Sequence, residues 1–114
     1  MASFDVGEVI KVPFPYTDRP VRERRPALVV ANGGALKEPG LLWVLMVTSA
    51  AHRRWPGDVA VSDLSGAGLP VPSVVRTAKI ATIEAQEALP LGRLSAADDL
   101  LVRHELDQTW KRGS

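Results

Sequence analysis

No apolar run in this chain extends beyond Leu41 to Val47. That limit constrains the fold more than any other feature of the sequence. A helical core needs apolar positions recurring every three to four residues over roughly a dozen positions, whereas short β-branched runs between chain breakers make strands. Nine prolines and nine glycines divide the 114 residues in that second way. The fold is therefore expected to be mainly β, a small barrel or sandwich, with residues 1–114 forming one domain. Leu41 to Val47 is also far too short to cross a bilayer.

The first run, Gly7 to Phe14, alternates Ile10, Val12 and Phe14 with Val9, Lys11 and Pro13. This is a strand with one face inward and Phe14 on the core side. Pro13 and Pro15 end its pairing or confine it to an edge, because proline has no N–H to donate. Tyr16 to Glu23 is a polar loop. Pro26 to Ala31 is almost entirely aliphatic, as in a strand buried on both faces, and Asn32-Gly33-Gly34 breaks it. Leu41 to Ser49 is a third strand. Asp58 to Ser62 is a short fourth, with Val59 and Val61 in phase, beyond a His52 to Gly57 loop. After a Gly/Pro loop over Ser65 to Pro72, Ser73 to Ile83 reads as one long strand. Its polar members Arg76, Thr77, Lys79 and Thr82 predict partial exposure. Five or so strands thus precede the one clear helix.

Leu91-Gly92-Arg93-Leu94 leads into that helix. Ser95 suits the N-cap, and Asp98 falls at the third helical position, beside the positive end of the helix dipole. Val102, Leu106 and Trp110 recur every four residues as a docking stripe. Leu100 and Leu101 lie off it and are expected to cover a barrel edge or a subunit interface.

The chain has no cysteine, which excludes disulfides and thiolate metal sites, and its two histidines exclude a histidine-rich one. Met1 to Asp5 lacks the basic start and long apolar stretch of a signal peptide, so a cytoplasmic location is expected. The net charge is only +1, but its distribution is uneven. Arg19 to Arg25 holds four arginines against one glutamate, and His52-Arg53-Arg54-Trp55 is a second basic patch. Two such patches bind phosphate if the fold brings them together, and otherwise are solvated loops.

Several blocks, in order, carry a family likeness: Val6-Gly7-Glu8-Val9-Ile10-Lys11-Val12-Pro13-Phe14-Pro15-Tyr16-Thr17-Asp18, then Arg24-Arg25-Pro26-Ala27-Leu28-Val29-Val30, Val47-Thr48-Ser49, Pro72-Ser73-Val74-Val75-Arg76 with Lys79-Ile80, and Leu91-Gly92-Arg93-Leu94-Ser95. Together they resemble the MazF/PemK toxins, the endoribonucleases of type II toxin–antitoxin systems. The resemblance implies an SH3-like small barrel with a C-terminal α-helix, working as a homodimer without a cofactor. It implies cleavage of single-stranded RNA without a metal, and inhibition by a cognate acidic antitoxin. The Tyr16 to Glu23 loop departs from the pattern. It lacks glycine and contains Pro20, where many relatives have a longer Gly-containing loop, so no RNA sequence preference is carried over.

The resemblance places the catalytic pair on Arg25 and Thr48, with Ser49 beside Thr48. In metal-free cleavage the RNA's 2′-hydroxyl attacks the adjacent phosphorus, and the protein steadies the added negative charge. A guanidinium fork matches two phosphoryl oxygens, and a hydroxyl adds an oriented donor. Apart from the motif, Arg25 reads as a surface ion pair at a strand start and Thr48 as an ordinary β-branched strand residue. Glu23 lies two residues before Arg25 and points to the same side of an extended segment. It is either the general base or a solvated partner of the arginines. His52 is an acid–base candidate or a surface residue. Trp55 is a stacking platform for RNA bases or a side chain folded onto the core. Arg24, Arg53, Arg54, Tyr16, Arg76 and Lys79 complete the candidate RNA surface, Arg76 and Lys79 alternatively solvating an exposed strand. Two readings compete with cleavage: a non-enzymatic toxin resembling CcdB, acting through the helix surface near Trp110, and a degenerate member that binds RNA without cutting it.

Overall fold

The computed structural model of the chain describes residues 3–14 and 23–113. Its elements run β1 (Glu8–Pro13), β2 (Arg24–Ala31), α1 (Gly33–Leu36), β3 (Leu41–Ser49), β4 (Asp58–Ala60), α2 (Leu64–Ala67), β5 (Ser73–Glu84), a 3-10 turn (Ala85–Glu87), β6 (Leu89–Arg93) and α3 (Ala96–Gly113). The six strands form one sheet in the order β4-β5-β3-β2-β1-β6, every neighbouring pair antiparallel. The mainly β class and the C-terminal helix are as the sequence implies. The barrel is not closed by pairing: β4 and β6 stand at the two ends of an open ladder.

The sheet is apolar on both faces. One face carries Ile10, Val12, Ala27, Val29, Val44 and Met46, joined by Phe4, Phe14, Leu42 and Ile83. The other carries Val9, Leu28, Leu45, Val47 and Val75, joined by Val59, Leu94 and Val102. Successive residues of β1, β2 and β3 fall alternately into the two clusters, as strand geometry requires. Doubly buried β2 matches its aliphatic sequence. β1 is buried on both sides over Val9 and Ile10, so its single inward face is a correction.

β6 was not legible as a strand. Its sequence, Leu-Pro-Leu-Gly-Arg, contains two residues that strands disfavour. It is tolerated because β6 is an edge strand, where Pro90 lies opposite Ile10 without breaking a central ladder. At the other end of β1, Pro13 neither ends the pairing nor marks an edge: it lies opposite Arg24, the Phe14 N–H still donates to the Glu23 carbonyl at 3.2 Å, and β1 runs between β2 and β6.

Ser95 Oγ accepts the Asp98 N–H at 3.2 Å and caps α3. Val102 is fully buried and Leu106 packs beside it, but Trp110 is 60% exposed, so the docking stripe ends one residue early. Positions four apart advance by about 40° on a 3.6-residue helix, so the third has turned off the sheet. Leu100 and Leu101 are exposed. Burying a side chain such as Val102 is worth roughly 1.5–3 kcal/mol, and Leu106 and the buried Asp98 add to the anchor.

Cross-strand register sets the position of the site. Ile10 faces Ala27, Ala27 faces Met46, Met46 faces Arg76 and Arg76 faces Asp58, a row across five strands. Its first three members are core. Its last two are an ion pair.

Candidate functional site

Arg25 lies two residues before Ala27, and Thr48 two residues after Met46. Since Ala27 and Met46 are register partners, strand alternation puts all four side chains on one face. There the apolar row gives way to a polar pocket of about 270 Å³, lined by Arg25, Met46, Thr48, His52, Arg53, Trp55, Arg76 and Lys79. Four of these eight are cations and none is a carboxylate. A larger cavity of about 440 Å³ beside Phe4, Asn32 and Gly33 has no charged side chain in its lining. Another of about 520 Å³ between Thr77 and α3 contains Glu105 and no arginine or lysine.

The far wall is built by an irregularity in β5. Met46 pairs with Arg76, but Leu45 pairs with Ile80, so Thr77, Ala78 and Lys79 are extra to the β3 ladder. Such insertions bend a strand and re-aim its side chains. Lys79 is brought to 5.7 Å from the Trp55 ring centre, and the Thr77 hydroxyl donates to the Gly57 carbonyl at 2.8 Å. The facing turn is Trp55-Pro56-Gly57-Asp58, closed by Asp58 N–H to Trp55 C=O at 3.1 Å. Proline suits its second position, and Gly57, with φ of +88°, suits the third. A β-carbon at Gly57 would lie 2.7 Å from Thr77 Oγ1.

Arg76 is buried, which corrects the reading of an exposed strand face. Its Nε donates to Asp58 Oδ1 at 3.2 Å, and its Nη2 to Asp58 Oδ2 at 3.0 Å and to the Arg53 carbonyl at 2.9 Å. The two side chains are 8% and 1% exposed. The guanidinium carbon sits 4.3 Å from the Trp55 ring centre. Burial alone would raise the Asp58 carboxyl. The Arg76 hydrogen bonds, the Trp55 N–H at 3.0 Å and the charges of Arg76 and Arg54 outweigh it and hold the group below its ordinary value. Trp55 is half-buried against these cations and is not part of either apolar cluster.

Arg25 is one-third exposed, with Nη2 3.4 Å from Glu23 Oε2, so the two do share a side. Glu23 does not line the pocket. Ser49 is turned away from Thr48 by strand alternation, and its Oγ accepts the Ala51 N–H at 3.1 Å. Arg24 is exposed and donates to the Glu87 carbonyl at 3.2 Å. His52 and Arg53 are exposed at the pocket, whereas Arg54 is exposed outside its lining. Tyr16 lies outside the described residues. The pocket thus gathers Arg25, Thr48, His52, Arg53, Trp55, Arg76 and Lys79 and leaves out Glu23, Ser49, Arg24 and Arg54. Sequence reasoning missed Asp58 and Gly57. Their one local signal was a Pro-Gly turn followed by an acid beside a basic patch. Among the described residues, no three His, Cys, Asp or Glu side chains cluster as metal ligands would.

Residues 5–109 match the family described as PemK-like, MazF-like toxin of type II toxin–antitoxin system. No curated protein matches the sequence significantly. Among solved structures, MazF from Deinococcus radiodurans superposes with a TM-score of 0.76 at 24% identity, over 97% of this chain and 98% of that one. The Mycobacterium tuberculosis toxin MazF-mt6 gives 0.68 at 19%, over 90% and 96%. A mycobacterial endoribonuclease in complex with its cognate antitoxin gives 0.69 at 19%, over 92% of each chain. At these identities the structural likeness speaks for the fold.

Proposed function

Since the chain belongs to the PemK-like, MazF-like toxins of type II toxin–antitoxin systems, we propose that it is a single-domain, metal-independent endoribonuclease that cuts single-stranded RNA. The observation that carries this reading is the meeting of Arg25 and Thr48, from separate strands, in one cation-lined pocket without a carboxylate in its wall. A toxin acting by binding alone, through the α3 surface, needs no such pair.

In this mechanism a phosphate enters between Arg25, Arg53 and Lys79. The 2′-hydroxyl attacks phosphorus, the 5′-oxygen leaves, and the Arg25 fork takes up charge on the phosphoryl oxygens while the Thr48 hydroxyl supplies a further donor. A guanidinium keeps its proton at ordinary pH, so another group accepts the 2′ proton. Glu23, beside Arg25, is the first candidate; His52 can protonate the leaving oxygen. Products then carry a 2′,3′-cyclic phosphate and a 5′-hydroxyl. Trp55 offers a face for one base.

The protein acts in the cytoplasm as a homodimer. The exposed Trp43, Leu100, Leu101 and Trp110 supply apolar surface for the second subunit. A cognate antitoxin inhibits it by laying a flexible acidic segment across Arg24, Arg25, Arg53 and Arg54. The deciding experiment is incubation of the pure protein with a long RNA in excess EDTA, with end-group analysis of the products. Cleavage giving cyclic phosphates is expected. Activity that vanished in EDTA and returned with magnesium would overturn the mechanism.

A further inference from the structure

We propose that Arg76 is a positioning residue, which holds the Trp55 ring as the stacking surface for one RNA base and does not itself bind phosphate. This rests on the ribonuclease reading for its substrate, but its geometry stands apart from that reading. Both Asp58 oxygens and the Arg53 carbonyl accept from the Arg76 guanidinium, which is tied to the protein through Nε and Nη2. A phosphate would have to compete with a buried carboxylate 3.0 Å away. The carbon of the same guanidinium lies over the Trp55 ring, 4.3 Å from its centre, the spacing at which a cation holds an aromatic ring. Asp58 also accepts the Trp55 N–H at 3.0 Å, so one ion pair fixes both the backbone and the ring of Trp55.

The position is dictated by register. Arg76 is the last β5 residue paired with β3 before the three-residue insertion, and also the last paired with β4. From there it reaches Asp58 on one side and the 53–55 segment on the other. Within the insertion itself, Lys79 leans on the wall so fixed, 5.7 Å from the Trp55 ring centre. The chemical consequence is base positioning. Stacking on a held ring sets where the base sits, and with it which phosphate reaches Arg25.

The test uses Arg76→Lys, which keeps the charge but loses the planar fork, and Asp58→Asn/Arg76→Gln, which removes both charges together so that neither is stranded. Hydroxyl-radical footprinting with peptide mass spectrometry reads Trp55 oxidation without RNA, with Trp43 and Trp110 as internal references. Oxidation of Trp55 should rise about twofold or more in both variants while its references stay constant. Binding is read with a randomised 2′-O-methyl oligoribonucleotide, which cannot be cut, and cleavage by single-turnover kinetics on a long RNA. Arg76→Lys should weaken binding roughly tenfold, the size of one lost stacking contact. The limiting cleavage rate at saturating protein should fall by a smaller factor than binding does. Trp55→Ala should weaken binding equally, and adding Arg76→Lys to it should change nothing further, because both act on one contact. Additive losses would make Arg76 a direct phosphate ligand and overturn the proposal, as would unchanged Trp55 oxidation in both variants. If the parent bound the oligonucleotide but cut no RNA, the ribonuclease reading would fail, while the footprinting and binding results would still decide the role of Arg76.

Discussion

Two arginines of one pocket are set to different tasks by what surrounds them. Arg25 is one-third exposed beside a surface glutamate, so it contributes little to folding. Arg25→Ala should lower the single-turnover rate by roughly 10²–10³ through loss of one charge-stabilising donor, with thermal melting almost unchanged; a folded variant cutting at the parental rate would remove Arg25 from catalysis. Arg25→Lys should recover only part of the rate, since ammonium lacks the two-pronged geometry. Arg76 shows the reverse balance. Its partner Asp58 has a carboxyl held below the ordinary 3.8. The stability this supplies is complete above the unfolded value and is lost as pH falls through the lower folded one. Melting temperature followed from pH 6 into acid should therefore fall less in Asp58→Asn than in the parent, and parallel curves would contradict the linkage. At neutral pH, Asp58→Ala should cost on the order of 3–5 kcal/mol by leaving Arg76 buried without its counter-charge. Arg25 and Thr48 could be singled out from their motifs. The burial of Arg76 could not, because its partner is 18 residues away along the chain and strand alternation shows side, not depth.

Elements with a strong local pattern were legible, and those defined by distant partners were not. β2 and β3 declare themselves through aliphatic runs, and α3 through its cap. The insertion in β5 leaves no mark in a continuous β-branched sequence, and β6 is hidden behind its proline and glycine. Asp98 illustrates both cases. Its spacing from Ser95 placed it correctly in the first turn of α3, where a carboxylate favours the dipole. Its stronger role is tertiary: it is buried and accepts from Ser62 N–H at 2.7 Å and Ser62 Oγ at 2.9 Å, tying the segment just after β4 to the helix. Ser95→Ala should thus cost about 1 kcal/mol, the usual worth of an N-cap. Asp98→Ala should cost about 2–3 kcal/mol, because it also leaves the Ser62 donors unpaired. Denaturant melts of the two variants check the order, and equal losses would reduce Asp98 to a dipole effect.

At the scale of the whole molecule, a net charge of +1 gives no hint of a nucleic-acid surface; the one proposed rests on local arrangement. The acids of α3, among them Asp99 and Asp107, border a different groove, beside Val6 and Trp110. The pocket itself gathers four cationic side chains from three separate stretches of sequence, which only the sheet register brings together. That convergence was the open question left by two basic patches, and Arg25 of the first now stands in one lining with His52 and Arg53 of the second. Of the four cations, Arg76 is buried against Asp58; in the proposed mechanism it is Arg25, Arg53 and Lys79 that meet phosphates. A single strand releases about 0.7 counterion per phosphate neutralised, so log K for RNA should fall with log salt at a slope near −2. Doubling the salt should then weaken binding about fourfold. Fluorescence anisotropy with a non-cleavable 2′-O-methyl oligonucleotide between 50 and 200 mM salt measures it, a range of about two doublings. Arg53→Ala should reduce the slope by about 0.7, and Arg76→Lys, already paired within the protein, should leave it unchanged. A parental slope near zero would mean that stacking alone holds the RNA. A slope change on Arg76→Lys as large as that on Arg53→Ala would return Arg76 to the phosphate-binding set.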